Sequence, residues 1–166
     1  MKLIGCILVL ISSTVTGFYL SAVLKRRMML FSQLALFTGN ISSSIRYNAF
    51  DVYTILQQEC MNTDVPFVKC ALSNLQNGLN VSQSWSSAVD SLPSYYGLSK
   101  DDKNIIKQFG SKLGATDTEG QTGHCEYFKN MFLARAEQLR DEYSQKSKLY
   151  HSLGFFCGLA LIIVLI

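Results

Sequence analysis

Tryptophan occurs once in this chain of 166 residues, proline and histidine twice each, and no two of the five cysteines stand in C-x-x-C spacing. Each scarcity closes a route. His124 and His151 are too isolated to suggest a serine-histidine-acid triad. His124-Cys125 sets two ligand types side by side, but adjacent helical residues point to different sides and no second pair waits elsewhere, so no zinc site is expected. Cys6 and Cys157 lie in the apolar ends, and Cys60, Cys70 and Cys125 are an odd three, expected as reduced thiols packed as small hydrophobes. The phosphate-loop pattern G-x-x-x-x-G-K-[ST] is missing, and Gly110, Gly114 and Gly120 follow a helical pattern, not a strand. Of the adjacent acidic pairs, Asp101-Asp102 and Asp141-Glu142, both suit capping or solvent exposure better than paired acid-base work. These absences predict a non-enzyme that holds no cofactor and no metal.

Charge is also missing from both ends. Leu3 to Leu24 runs twenty-two residues without one, and at about 1.5 Å per helical residue that crosses a hydrocarbon core of about 30 Å. Tyr150 to Ile166 adds seventeen residues free of Asp, Glu, Lys and Arg, the short end of the spanning range. The division expected is a membrane helix over 1–24, a helical domain over 25–149 and a second membrane helix over 150–166. Leu3-Ile4-Gly5-Cys6 looks like a lipoprotein box but has only Met1 and Lys2 before it. A cleaved signal peptide finds no convincing small-x-small site, so an uncleaved anchor is the reading adopted. Lys25, Arg26 and Arg27 follow the first apolar run, and Lys146 and Lys148 precede the second, which places the middle domain on the cytoplasmic side. The alternative is an extracytoplasmic adaptor or receptor with reversed topology. Ser13 and Gly17 in the first run and Gly154 and Gly158 in the second give small-x-x-x-small faces on which the two helices can approach. Within 25–149, 14 basic residues stand against 12 acidic, with no basic stripe, so nucleic acid is not an expected partner; Lys25-Arg26-Arg27 could touch anionic lipid.

The middle domain reads as all-α, with no strand-like alternation. Met28, Leu30, Phe31, Leu34, Phe37, Ile41 and Ile45 recur at threes and fours, so the first helix runs on from the apolar end to about residue 47. Asp51 is read as the cap of a second helix, Asp64 with Pro66 as the start of a third that stops at Asn77-Gly78, and Ser82 as the cap of a fourth that breaks at Pro93. Trp85 on that short helix is either a core anchor or a partner contact, the core being favoured because the helix has few other large apolar groups. Ser99 opens a fifth helix whose stripe, Ile105, Ile106, Phe109 and Leu113, ends at Gly114, where a left-handed residue is wanted. Thr116-Asp117-Thr118-Glu119 reads as a capping box, Thr116 accepting from the amide of Glu119, for a last helix that presents Phe128, Phe132 or Met131, Ala136 and Leu139 to the domain and continues to the carboxyl end.

Gly17-Phe18-Tyr19-Leu20 in the first run, Trp85 on a short helix, F-G-x-x-L-G-x-x-D-x-x-x-Q at Phe109, Gly110, Leu113, Gly114, Asp117 and Gln121, and Lys148-Leu149-Tyr150 with Leu153-Gly154 before an apolar end together resemble the stage III sporulation protein AB family. The resemblance spans the chain. It implies a compact antiparallel helical bundle like the cytoplasmic domain of the F-type platform proteins of type II secretion and type IV pilus systems. Its first and last helices would continue into the membrane. It implies a mother-cell membrane facing an engulfed forespore, a channel needed for endospore formation, and a secretion-type ATPase and other channel proteins as partners, with homo-oligomers possible. Those platforms carry two such domains where this chain has one, and residues 70–99 are poor in charge and rich in Ser, Asn and Gln.

Overall fold

The computed structural model describes residues 2–48 and 52–165, with side chains described except at 2–4, 6, 7, 9, 10, 48, 52, 151, 155, 158, 159 and 161–165. Six α-helices follow in order: α1 Lys2–Asn48, α2 Val52–Asn62, α3 Val68–Gln76, α4 Val81–Asp90, α5 Lys100–Ser111 and α6 Thr118–Leu165, with one 3-10 turn at Ser94–Tyr96. Among the described residues there is no strand. The two long helices run antiparallel: Ser13 meets Gly154, Ser21 meets Ser147, Phe31 meets Phe132 and Ser42 meets Glu126. The four short helices pack in a chain against one end of this hairpin.

The periodicity that predicted α1 is the one that buries it. Leu30, Phe31, Leu34, Phe37, Ile41 and Ile45 are all in the core, opposite Phe128, Phe132, Ala136 and Leu139 of α6. Trp85 of α4 lies at the centre with almost no exposed surface. It stacks on Phe37 at 6.0 Å, meets Phe67 and Phe109 edge-on at 4.9 and 5.4 Å, and donates its indole N–H to the carbonyl of Ile106 at 2.8 Å. A partly polar side chain of this size is stable in a core only when its one donor is satisfied.

Where the helices begin differs from the sequence reading at three places. The cap of α4 is Asn80, not Ser82: Asn80 is extended and accepts from the amide of Gln83 at 2.8 Å, which leaves Ser82 inside the first turn. The third helix starts at Val68 without a side-chain cap. Pro66 disfavours helical geometry at Val65, and Thr63 Oγ1 takes the Val65 amide at 3.3 Å, so Asp64 caps nothing. At α6 the cap falls on Asp117, whose Oδ1 accepts from Gly120 at 3.1 Å, while Thr116 Oγ1 accepts from Gln121 Nε2. The Thr116–Glu119 box is therefore not formed. The expected cap at Asp51 lies outside the described residues.

Two glycine turns set the loops. After α3, Gly78 is left-handed and the amides of Gly78 and Leu79 return to the carbonyls of Leu75 and Asn74, which satisfies the helix end. After α5, Gly114 has φ 82° and its amide donates to Gln121 Oε1 at 2.9 Å. The same amide side chain donates from Nε2 to the carbonyl of Lys112 at 3.1 Å, so buried Gln121 stitches the α5–α6 connection together.

Among the described residues no helix is long and apolar enough to cross a membrane. Much of each predicted span, at 1–4, 6, 7, 9 and 10 and at 158, 159 and 161–166, lies outside the described side chains.

Candidate functional site

The most unusual chemistry lies where the hairpin leaves the bundle. Ser99 caps α5 by a full capping box: its hydroxyl accepts from the amide of Asp102 at 3.1 Å, and Asp102 Oδ2 accepts from the amide of Ser99 at 2.9 Å. Asp102 does more than cap. Its side chain has no exposed surface, and Arg27 of α1 grips Oδ2 through Nε and Nη2, each at 2.6 Å. Arg135 of α6 grips Oδ1 through Nε at 3.0 Å and Nη2 at 2.9 Å. One buried carboxylate thus joins α5 to both long helices, each guanidinium taking one oxygen in a two-pronged contact. The sequence reading of Asp101-Asp102 as a capping or solvent-exposed pair divides between the two residues: Asp101 is exposed, Asp102 caps, and the burial of Asp102 is the part that reading did not include. Arg27, read for topology, is a structural partner as well. Glu142 continues the cluster, its carboxyl held below the usual range by a hydrogen bond from Lys146, with Arg27 and Arg135 adding to the effect.

Beside this cluster the Ser94–Tyr96 turn lies on α1. The guanidinium of Arg26 stands 5.3 Å from the centre of the Tyr95 ring, and the Tyr95 and Tyr96 rings are 4.8 Å apart. Tyr95 is exposed; Tyr96 is half-buried, and burial together with a hydrogen bond to Tyr95 raises its pKa above the usual phenol range. Lys25 and Arg26 are both exposed.

The other singled-out residues are placed plainly. Phe109 is fully buried, its ring parallel to that of His124 at 5.6 Å, and its carbonyl accepts from His124 Nε2 at 2.8 Å. Cys125 is buried, which pushes its thiol up to about 12, the neighbouring Glu126 adding to the rise. Cys60 is buried too, but Cys70 is exposed on α3, which corrects its expected packing. Glu119 is exposed in the first turn of α6. Ser13 Oγ donates to the carbonyl of Gly154 at 2.5 Å, and a methyl group at Gly17 would collide with the carbonyl of Tyr150. Ser13, Gly17 and Gly154 therefore lie on one close approach of the two helices; Gly158 is on α6 but outside the described side chains. Sequence reasoning missed Gly110, where a methyl group would strike the indole of Trp85, and Gln121 as a loop staple. Among the described residues no group of three or more His, Cys, Asp or Glu is placed to hold a metal ion.

The model of the stage III sporulation protein AB family matches residues 2–166. The chain belongs to that family. It is 25% identical over 170 residues to the stage III sporulation protein AB of Bacillus subtilis strain 168, an alignment covering 99% of each chain. No solved structure matches it. Within the family assignment, the capped α5, the left-handed Gly114 and the stapling Gln121 give physical content to the F-G-x-x-L-G-x-x-D-x-x-x-Q pattern.

Proposed function

We propose that this sporulation protein is a non-enzymatic membrane platform of the mother-cell-to-forespore channel. In this reading the α1–α6 hairpin anchors it in the mother-cell membrane facing the forespore. The bundle on the cytoplasmic side docks a secretion-type ATPase and other channel components. The observation that carries the reading is a gathering, among the described residues, of nine exposed large apolar side chains at one end of the hairpin. Leu8, Ile11, Val15, Phe18, Tyr19 and Leu20 on α1 and Leu149, Leu153 and Phe156 on α6 face outward around one end of the hairpin. Water does not favour so many apolar side chains gathered at one end, and a hydrocarbon layer does. The run without charge ends at Lys25 and Arg26, the positives that favour a cytoplasmic domain. Family membership supports the sporulation setting.

Clamping suits a platform. A bundle that is to transmit or resist force from a docked motor needs its stems held in one geometry, and the Asp102 cluster joins both stems to α5 at the point where they leave it. The test is direct binding: the full chain in lipid nanodiscs, titrated with the purified secretion-type ATPase made in the same sporulating cells. Saturable binding in the micromolar range is expected. No binding up to about 100 µM would remove the docking role.

A further inference from the structure

We infer that the Ser94–Tyr96 turn and Arg26 form a membrane-interface contact that takes the anionic phospholipid headgroups of the bilayer entered by the α1–α6 hairpin. The inference rests on the membrane-platform reading and adds a site to it.

The turn is at the right level. Its Gly97 lies against Val23 so closely that a methyl group there would collide with the valine side chain, and Arg26 lies over Tyr95 one helical turn farther along α1. Val23 is almost the last residue of the apolar run, and Arg26 is the second of the three positives that follow it. On the bundle side of this level α1 has its arginine clamp; on the other side it exposes Phe18, Tyr19 and Leu20. The turn therefore occupies the boundary between an apolar shell and a charged collar, where tyrosine rings are favoured because their faces are apolar and their hydroxyls reach water.

Its exposure fits that place. Tyr96 and Leu98 pack on the core, but Tyr95 stays 42% exposed and so is not needed to fill it. The turn is rigid. Pro93 fixes its start, Tyr96 and Gly97 return amide hydrogen bonds to the carbonyls of Pro93 and Ser94 at 3.2 and 2.9 Å, and Gly97 closes it at φ 64°. Ser99, two residues on, is held by the Asp102 box and lies 3.5 Å from Arg27 Nη2. A ring presented at fixed depth on so stiff a mount loses little freedom on contact.

Charge selects the occupant. A guanidinium over a ring face carries N–H donors in a planar fork that matches a phosphate. Lys25 stands beside it on α1 and is exposed. Of the acids near this level, Asp102 is consumed by two arginines and Glu142 pairs with Lys146, which leaves exposed Asp141, about level with Arg27, against the two exposed positives Lys25 and Arg26.

The test uses the full chain in nanodiscs of mixed phosphatidylglycerol and phosphatidylcholine carrying nitroxide-labelled lipids. Tyr95→Trp provides a probe at the turn and Phe18→Trp a reference in the apolar shell, with buried Trp85 as a constant background. Headgroup-labelled phosphatidylglycerol is expected to lower the Tyr95→Trp emission about twofold, and acyl-labelled lipid to act mainly on Phe18→Trp. Arg26→Gln is expected to reduce the excess quenching by labelled phosphatidylglycerol over labelled phosphatidylcholine about fivefold, the ratio corresponding to about 1 kcal/mol per surface arginine, while Arg26→Lys retains it. Quenching of Phe18→Trp with none of Tyr95→Trp would overturn the interface site and leave the membrane hairpin standing. No quenching of either would overturn the hairpin itself. Equal quenching by both headgroups would refute the anionic preference.

Discussion

At Asp102 a carboxylate without exposed surface is shared by two arginines that lie 75 residues before it and 33 residues after it in the chain. The helix-start role of this residue was legible, because Ser99 and Asp102 are in capping-box register. Its burial was not, because nothing local says that Arg27 and Arg135 converge on it. Breaking such a site leaves charges without partners, so Asp102→Asn is expected to lower the unfolding free energy by about 3 kcal/mol in chemical denaturation of the full chain in detergent. Asp101→Asn, at the exposed neighbour, is expected to change it by less than about 0.5 kcal/mol. Equal effects at the two positions would show that Asp102 acts only as a cap. Trp85 was legible as a core residue from the scarcity of other large side chains on its helix. The glycine that admits its ring, Gly110, sits 25 positions away in sequence, and only packing reveals it.

Helix existence and order followed from periodicity, since α1 and α6 carry long apolar stripes and the short helices are bounded by Pro, Gly and Asn. Starting points were less legible where two capping residues compete within a few positions. Asn80 displaced Ser82, and Asp117 displaced Thr116, in each case because the chosen side chain reaches an amide three residues on while the other is spent or lies inside the turn. The stop at Gly114 was legible by its spacing from the α5 stripe, and its φ of 82° is a conformation in which alanine is strained by roughly 1 kcal/mol. Gly114→Ala is therefore expected to lower stability by about that amount while leaving the proposed binding of a secretion-type ATPase unchanged once folded. A loss of binding at unchanged stability would mean that this loop is a contact surface, not a turn.

For the whole molecule, an all-helical bundle on a long helical hairpin was readable from the apolar ends, the heptad-like stripes and the family pattern together. What a linear chain hides is the joining of distant parts: the arginine clamp, the Gln121 staple and the tyrosine turn against α1 all depend on residues that meet only after folding. The central claim is that the hairpin lies in a membrane and the bundle faces the cytoplasm, where an ATPase can reach it. Cys70 tests this directly, being exposed on α3 while Cys60 and Cys125 are buried. The protein, with Cys6 and Cys157 replaced, is made in growing cells, where the outer face of the membrane is open to the medium, and treated with a membrane-impermeant maleimide. A cysteine added beyond Ile166 serves in a second variant as the outward-facing reference. The account predicts that Cys70 stays unlabelled in intact cells and is labelled fully on permeabilisation, while the reference is labelled in both. Labelling of Cys70 in intact cells would contradict it, because the bundle would then lie outside, beyond the reach of any cytoplasmic motor.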